Sequence, residues 1–150
     1  MAIANVIAGA YIDPTTFGNV VVDELNNRGY KGLPTGVSAV TGVGTSYTTI
    51  TTFGFTAPAD RRYKVTGRVK VRQRVAKGLV SVAITNSADT LLADESYQTI
   101  GIDDYATITH VIEHEPSAGS FTFKLRVKTS TNTVDVEANG FLLVEDIGPV

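Results

Sequence analysis

YKVTGRVKVRQRV, residues 63–75, carries lysine or arginine at five even-numbered positions, Lys64, Arg68, Lys70, Arg72 and Arg74, and valine at most of the odd ones. Successive side chains of a β-strand point to opposite faces. The spacing therefore predicts a strand with a cationic row on one side and Val65, Val69, Val71 and Val75 on the other. A helix would scatter both sets around its circumference. Residues 61–77 contain eight of the thirteen basic residues and no acidic one, which leaves the remainder of the chain at −10 and rich in partners for them. The row is expected to be a solvated or ion-paired outer face, with contact to an acidic protein surface as the second reading. Nucleic-acid sites interleave cations with aromatic stacking platforms, and here valines intervene, so no nucleic-acid partner is expected.

The same alternation recurs along the chain. SYTTITTFGF (46–55) puts Tyr47, Thr49, Thr51, Phe53 and Phe55 on one face, and TAPADRR (56–62) reads as the following turn. LVSVAIT (79–85), a weaker region at 90–102, YATITHVI (105–112), FTFKLRVK (121–128), TVDVEA (133–138) and FLLVED (141–146) complete the set. Threonine, valine and isoleucine supply 49 of 150 residues, a β-branched excess suited to pleated, half-buried surfaces. Seven or eight short strands between turn residues predict an all-β protein, a sandwich or jelly roll.

The length suits one domain that buries a core without staples. The absence of cysteine excludes disulfides and thiolate metal sites, and the net charge of −2 exerts no global pull toward DNA or membrane. No apolar run approaches the roughly 18–20 residues that cross a bilayer. MAIANVIAGAYIDP lacks a basic n-region, so no standard signal peptide is expected.

One helix signal stands near the N-terminus. Asp13 suits a cap, Pro14 the first helical position and Gly29 the C-terminal left-handed position, while Phe17, Val20, Val21 and Leu25 form an apolar stripe. Gly18, and Asp23 and Glu24 near its negative end, weaken the helix, so packing against another surface is needed to hold it. Residues 32–46, GLPTGVSAVTGVGTS, read as an extended connector. The expected organisation is an arm, helix and connector over 1–46 and a β-body over 47–150.

Charge also patterns the C-terminal third. A turn centred on Thr131 and Asn132 would pair Lys128 with Asp135 and Arg126 with Glu137 across a hairpin, each pair stabilising by about 0.2–1 kcal/mol. His110 and His114 imitate a helical zinc pair, but on a strand they lie about 13 Å apart and cannot share an ion. His110 shares a face with Ala106, Ile108 and Ile112 and reads as a hydrogen-bonded, half-buried residue. Asp103 and Asp104 read as a plain acidic loop. No phosphate-cradling loop, dinucleotide fingerprint or nucleophile elbow is present, so no cofactor, metal or catalytic residue is assigned. A hydrolytic reading would have to use carboxylates such as Glu113 or Asp104.

FGFTAPADRRYKVTGRVKV, KGLVSVAITNS and SFTFKLRVKTSTNTVDVEANGFLLVEDIGP resemble, in strand order, tumour-necrosis-factor-like and complement globular-head jelly rolls. More narrowly, TAPADRRYKVTGRV, the terminal LLVEDIGP and the early YIDPTTFGNVVVDELN resemble small virion accessory proteins of tailed bacteriophages. The resemblance implies a jelly-roll homotrimer on the virion surface, a capsid decoration protein without enzymatic activity whose partner is the major capsid protein. It makes the N-terminal segment the attachment device, with Ile3, Val6, Ile7, Tyr11, Ile12, Phe17 and Val21 as the anchoring residues. The alternative is a tail- or head-fibre domain that binds host-surface glycan through Tyr97, Tyr105 or loop carboxylates.

Overall fold

The computed structural model describes residues 29–30, by backbone alone, and 34–150. The predicted helix and all seven anchoring residues, Ile3 to Val21, lie outside the described residues. The described part is all-β, and no helix among its residues is long and apolar enough to cross a membrane. Its strands are β1 (Gly29–Tyr30), β2 (Thr35–Gly36), β3 (Val40–Val43), β4 (Thr48–Ala57), β5 (Arg61–Gln73), β6 (Gly78–Thr85), β7 (Ser96–Ile100), β8 (Tyr105–His114), β9 (Gly119–Thr129) and β10 (Val134–Pro149).

Two antiparallel sheets pack face to face. In sheet A, β10 pairs with β5 and β5 with β8, while β1, β2 and β3 pair in turn with the other side of β10. Sheet B has the order β4-β9-β6-β7. The alternation in β5 does what period two requires: Tyr63, Val65, Val69 and Val71 are fully buried, and the even-numbered side chains face outward. Opposite them lie Val80, Val82 and Ile84 of β6 and Phe123, Leu125 and Val127 of β9, all without solvent exposure. Gly67 leaves room for this packing, because a Cβ there would stand 2.4 Å from a Leu125 methyl.

Three sequence expectations need correction. The glycine-rich stretch 32–46 is not a plain connector, since β2 and β3 within it are edge strands of sheet A. The runs 133–138 and 141–146 are one strand, β10, which continues through a bulge between Glu137 and Phe141. A bulge adds residues on one strand without ending its pairing, and Gly140 permits it: a Cβ there would meet the Arg68 carbonyl at 2.3 Å. A second irregularity between Thr49 and Thr51 reverses the facing of β4. Ile50 is therefore buried and Thr49 exposed, although Phe53 and Phe55 still pack against the core.

Candidate functional site

The outer face of sheet A gathers the basic row. Register sets Asp135 of β10 beside Arg72, Glu137 beside Lys70 and Glu145 beside Lys64, so β5 cations alternate with acids from the next strand. Lys64 pairs with Glu145 at 3.6 Å and Arg72 with Asp103 at 3.1 Å, and Arg74 forms a hydrogen-bonded pair with Asp135. Lys70 lies 4.8 Å and Arg72 5.2 Å from the centre of the Tyr105 ring, in cation–π range. Burial pushes the Asp135 carboxyl up, but the Gly42 N–H and the Arg74 guanidinium outweigh it and hold it below its ordinary value. That N–H, donated at 3.0 Å, also fastens β3 to β10.

The hairpin pairs expected of Arg126 and Lys128 are not formed. Asn132 does occupy a left-handed turn (φ 53°), but the chain there passes from sheet B to sheet A, so β9 and β10 are not hydrogen-bonded neighbours. Asp135 and Glu137 face β5 instead. Arg126 pairs with Asp89 at 3.3 Å, and Lys128 with Glu95 at 3.1 Å. Lys124 also reaches Asp89, and its hydrogen bond holds that carboxyl below the usual carboxylate range. Both Arg126 and Lys128 lie over the Tyr47 ring. These contacts pin the 86–95 loop to sheet B.

Across the outer face of sheet A runs a mostly apolar row. Register aligns Leu143 of β10, Thr66 of β5 and Val111 of β8 on adjacent strands, bounded by Phe141, Arg68 and Thr109 on one side and by Glu145, Lys64 and Glu113 on the other. Val111 is 50% exposed, and Arg68 has no ion-pair partner among the described residues. Apolar groups bordered by Arg68 on one side and by Lys64, Glu113 and Glu145 on the other suit contact with another macromolecule. The alternating pattern of β8 announced its exposed side, but its alignment with Leu143 is a long-range register that local sequence does not carry.

The histidines do structural work. His110 is buried, with Nδ1 2.9 Å from Ser96 Oγ, a bridge between the sheets. His114 packs against Phe121 and Phe123. Among the described residues, no group of three or more His, Cys, Asp or Glu is placed to hold a metal ion. Arg62, Glu113, His114 and Glu115 line an open depression, where Arg62 pairs with Glu115 at 2.8 Å.

Burial holds the pKa of His110 below its ordinary 6.5, and burial does the same for His114 against the opposing pull of Glu115. The unfolded chain then binds more protons once pH falls below about 6.5, so the stability present above that pH is lost on the way down to the folded values. Urea midpoints should fall between pH 7.5 and 5.5, and His110→Gln should flatten that dependence. An unchanged slope in the variant would remove His110 as a cause.

No protein family matches the chain, and no curated protein matches it. Among solved structures, the chain is similar to that of the infectious bursal disease virus Gx strain, at 12% identity and a TM-score of 0.44, over 73% of this chain and 29% of that one. It is also similar to a pentameric capsid protein isolated from metagenomic phage sequences, at 14% identity and a TM-score of 0.36, over 95% of this chain and 79% of that one.

Proposed function

We propose that the protein is a non-enzymatic structural component of a tailed-phage virion, a decoration protein that adds to the assembled head as a trimer. The observation that carries this reading is the winding of the chain. The order β3-β10-β5-β8 faces β4-β9-β6-β7, and from β3 to β10 the chain changes sheet at every step except β6 to β7. That order supports reading the sandwich as a jelly roll, the fold of the proteins the sequence resembles. The mixed apolar and charged outer face of sheet A supports a role in contact.

The chain enters sheet A through β1, whose Gly29 and Tyr30 pair with Asp146 and Glu145. The preceding 28 residues are the proposed anchor, with Ile3, Val6, Ile7, Tyr11, Ile12, Phe17 and Val21 burying apolar surface against the major capsid protein at about 25 cal/mol per Å². Binding only the assembled shell stabilises that shell by mass action. Heads assembled without this protein should recover it in co-sedimentation with the full chain. A chain lacking residues 1–28 should fold, by circular dichroism, and stay in the supernatant. Equal decoration by both chains would sink the anchor.

A second reading, a fibre domain that binds host-surface glycan, rests on Tyr97, which is 66% exposed on β7. A glycan-array signal lost in Tyr97→Ala would favour it over decoration.

A further inference from the structure

We infer that the free edge of β8 pairs with β8 of a second copy, in a two-fold contact that extends sheet A across two molecules. This goes beyond the virion reading and does not depend on it. Among the described residues, β8 has no strand partner in its sheet other than β5. The Gln73 N–H donates to the Asp104 carbonyl at 3.2 Å, and ladder alternation then turns the backbone groups of even-numbered β8 residues toward β5. Those of Tyr105, Thr107, Thr109, Val111 and Glu113 point at the open edge, and all five residues are exposed.

Proteins blunt such edges with lysine, proline, bulges or brevity, because an open row of N–H and C=O groups is a template for another strand. The edges of sheet B follow that rule: β7 has only 5 residues and β4 is interrupted by its irregularity. β8, YATITHVIEH, contains no lysine, arginine or proline and keeps unbroken register with β5 from Tyr105 to His114. Its regularity leaves the template intact.

The sequence of β8 suits its own copy. An antiparallel pairing centred on Thr109 uses the whole strand and sets Thr107 opposite Val111 and Tyr105 opposite Glu113. Odd-numbered residues meet odd and even meet even, so exposed faces stay aligned and buried faces stay aligned. Glu113, whose side chain is 60% exposed, would stand beside the Tyr105 ring of the other molecule, where Lys70 and Arg72 gather. Two-fold symmetry repeats that acid-to-cation contact at both ends.

The chain has no cysteine, so Thr109→Cys introduces a single thiol on the proposed axis. Directly opposed, hydrogen-bonded residues have Cα atoms about 5.5 Å apart, within disulfide reach. Mild oxidation of the full-length variant should yield covalent dimer, while Ser87→Cys, in the exposed 86–95 loop, should not. In sedimentation, Thr109→Lys should weaken self-association by about tenfold or more, since it opposes like charges, and should leave the circular dichroism spectrum unchanged. The inference is overturned if Thr109→Cys cross-links no faster than Ser87→Cys, or if Thr109→Lys associates as the parent does. Both results are also what occupation of the edge by residues 1–28 or by an unrelated protein would produce. Free protein suffices for both, so failure of the decoration proposal would not alter either readout.

Discussion

Replacing Asp146 by alanine should lower the unfolding free energy by about 3–5 kcal/mol, because it removes the carboxylate from a buried ion pair. The side chains of Arg61 and Asp146 are 8% and 0% exposed, and the guanidinium meets the carboxylate through Nε at 3.1 and 3.0 Å and through Nη2 at 2.6 Å. The same carboxylate accepts the Gly148 N–H at 3.0 Å, where φ of 122° at Gly148 accompanies the last register shift of β10. Alanine removes the carboxylate that faces Arg61 and the acceptor of the Gly148 N–H together. Removing both partners, as Arg61→Met with Asp146→Leu, should recover most of the loss, since a buried pair is often matched by apolar residues of similar volume. Glu145→Ala, which breaks a partly exposed pair with Lys64, should cost under about 1 kcal/mol. Urea unfolding followed by circular dichroism separates the cases. A loss from Asp146→Ala no larger than that from Glu145→Ala would mean that water reaches Arg61.

The reason this pair escaped the sequence while the basic row did not is one of range. In β5 the alternation of valine with lysine and arginine is local, and a strand with a cationic face follows from it directly. Asp146 shares the parity of Leu142 and Val144 in β10, so its inward direction was available as a signal, but its partner lies 85 residues away. Local turn chemistry misled for a related reason. A left-handed Asn132 serves a hairpin and a crossing between sheets equally well, so local sequence matches the charges of Arg126, Lys128, Asp135 and Glu137 in one ladder although they occupy two. The edge strands β2 and β3 carry no local signal, because glycine and small residues dominate 32–46 and their pairing with β10 is long-range. The apolar row through Leu143 and Val111 exists only once three strands are in register.

Phe123→Ala should cost about 3–5 kcal/mol and lower Tm by roughly 6–20 °C. Phe123 is fully buried and stands at the centre of an aromatic cluster that holds one end of the sandwich together. Its ring centroid is 4.9 Å from that of Phe121, edge to face, and 6.0 Å from that of Phe55. Phe55 continues the chain of contacts to Tyr63 of sheet A at 4.9 Å. The His114 ring closes the group from β8, at 6.0 Å from Phe123. Strands from both sheets thus converge on one side chain, and alanine would leave a cavity that neither backbone can shift to fill. Phe53 pairs with Phe123 across β4 and β9 but is only half-buried, so Phe53→Ala should cost distinctly less. Phe123→Leu, which keeps most of the volume, should fall between the two. Equal losses for Phe53→Ala and Phe123→Ala would show that the cluster does not join the sheets. The order Phe123→Ala, Phe123→Leu, Phe53→Ala, from largest loss to smallest, follows if the buried volume at position 123 carries the contact between them.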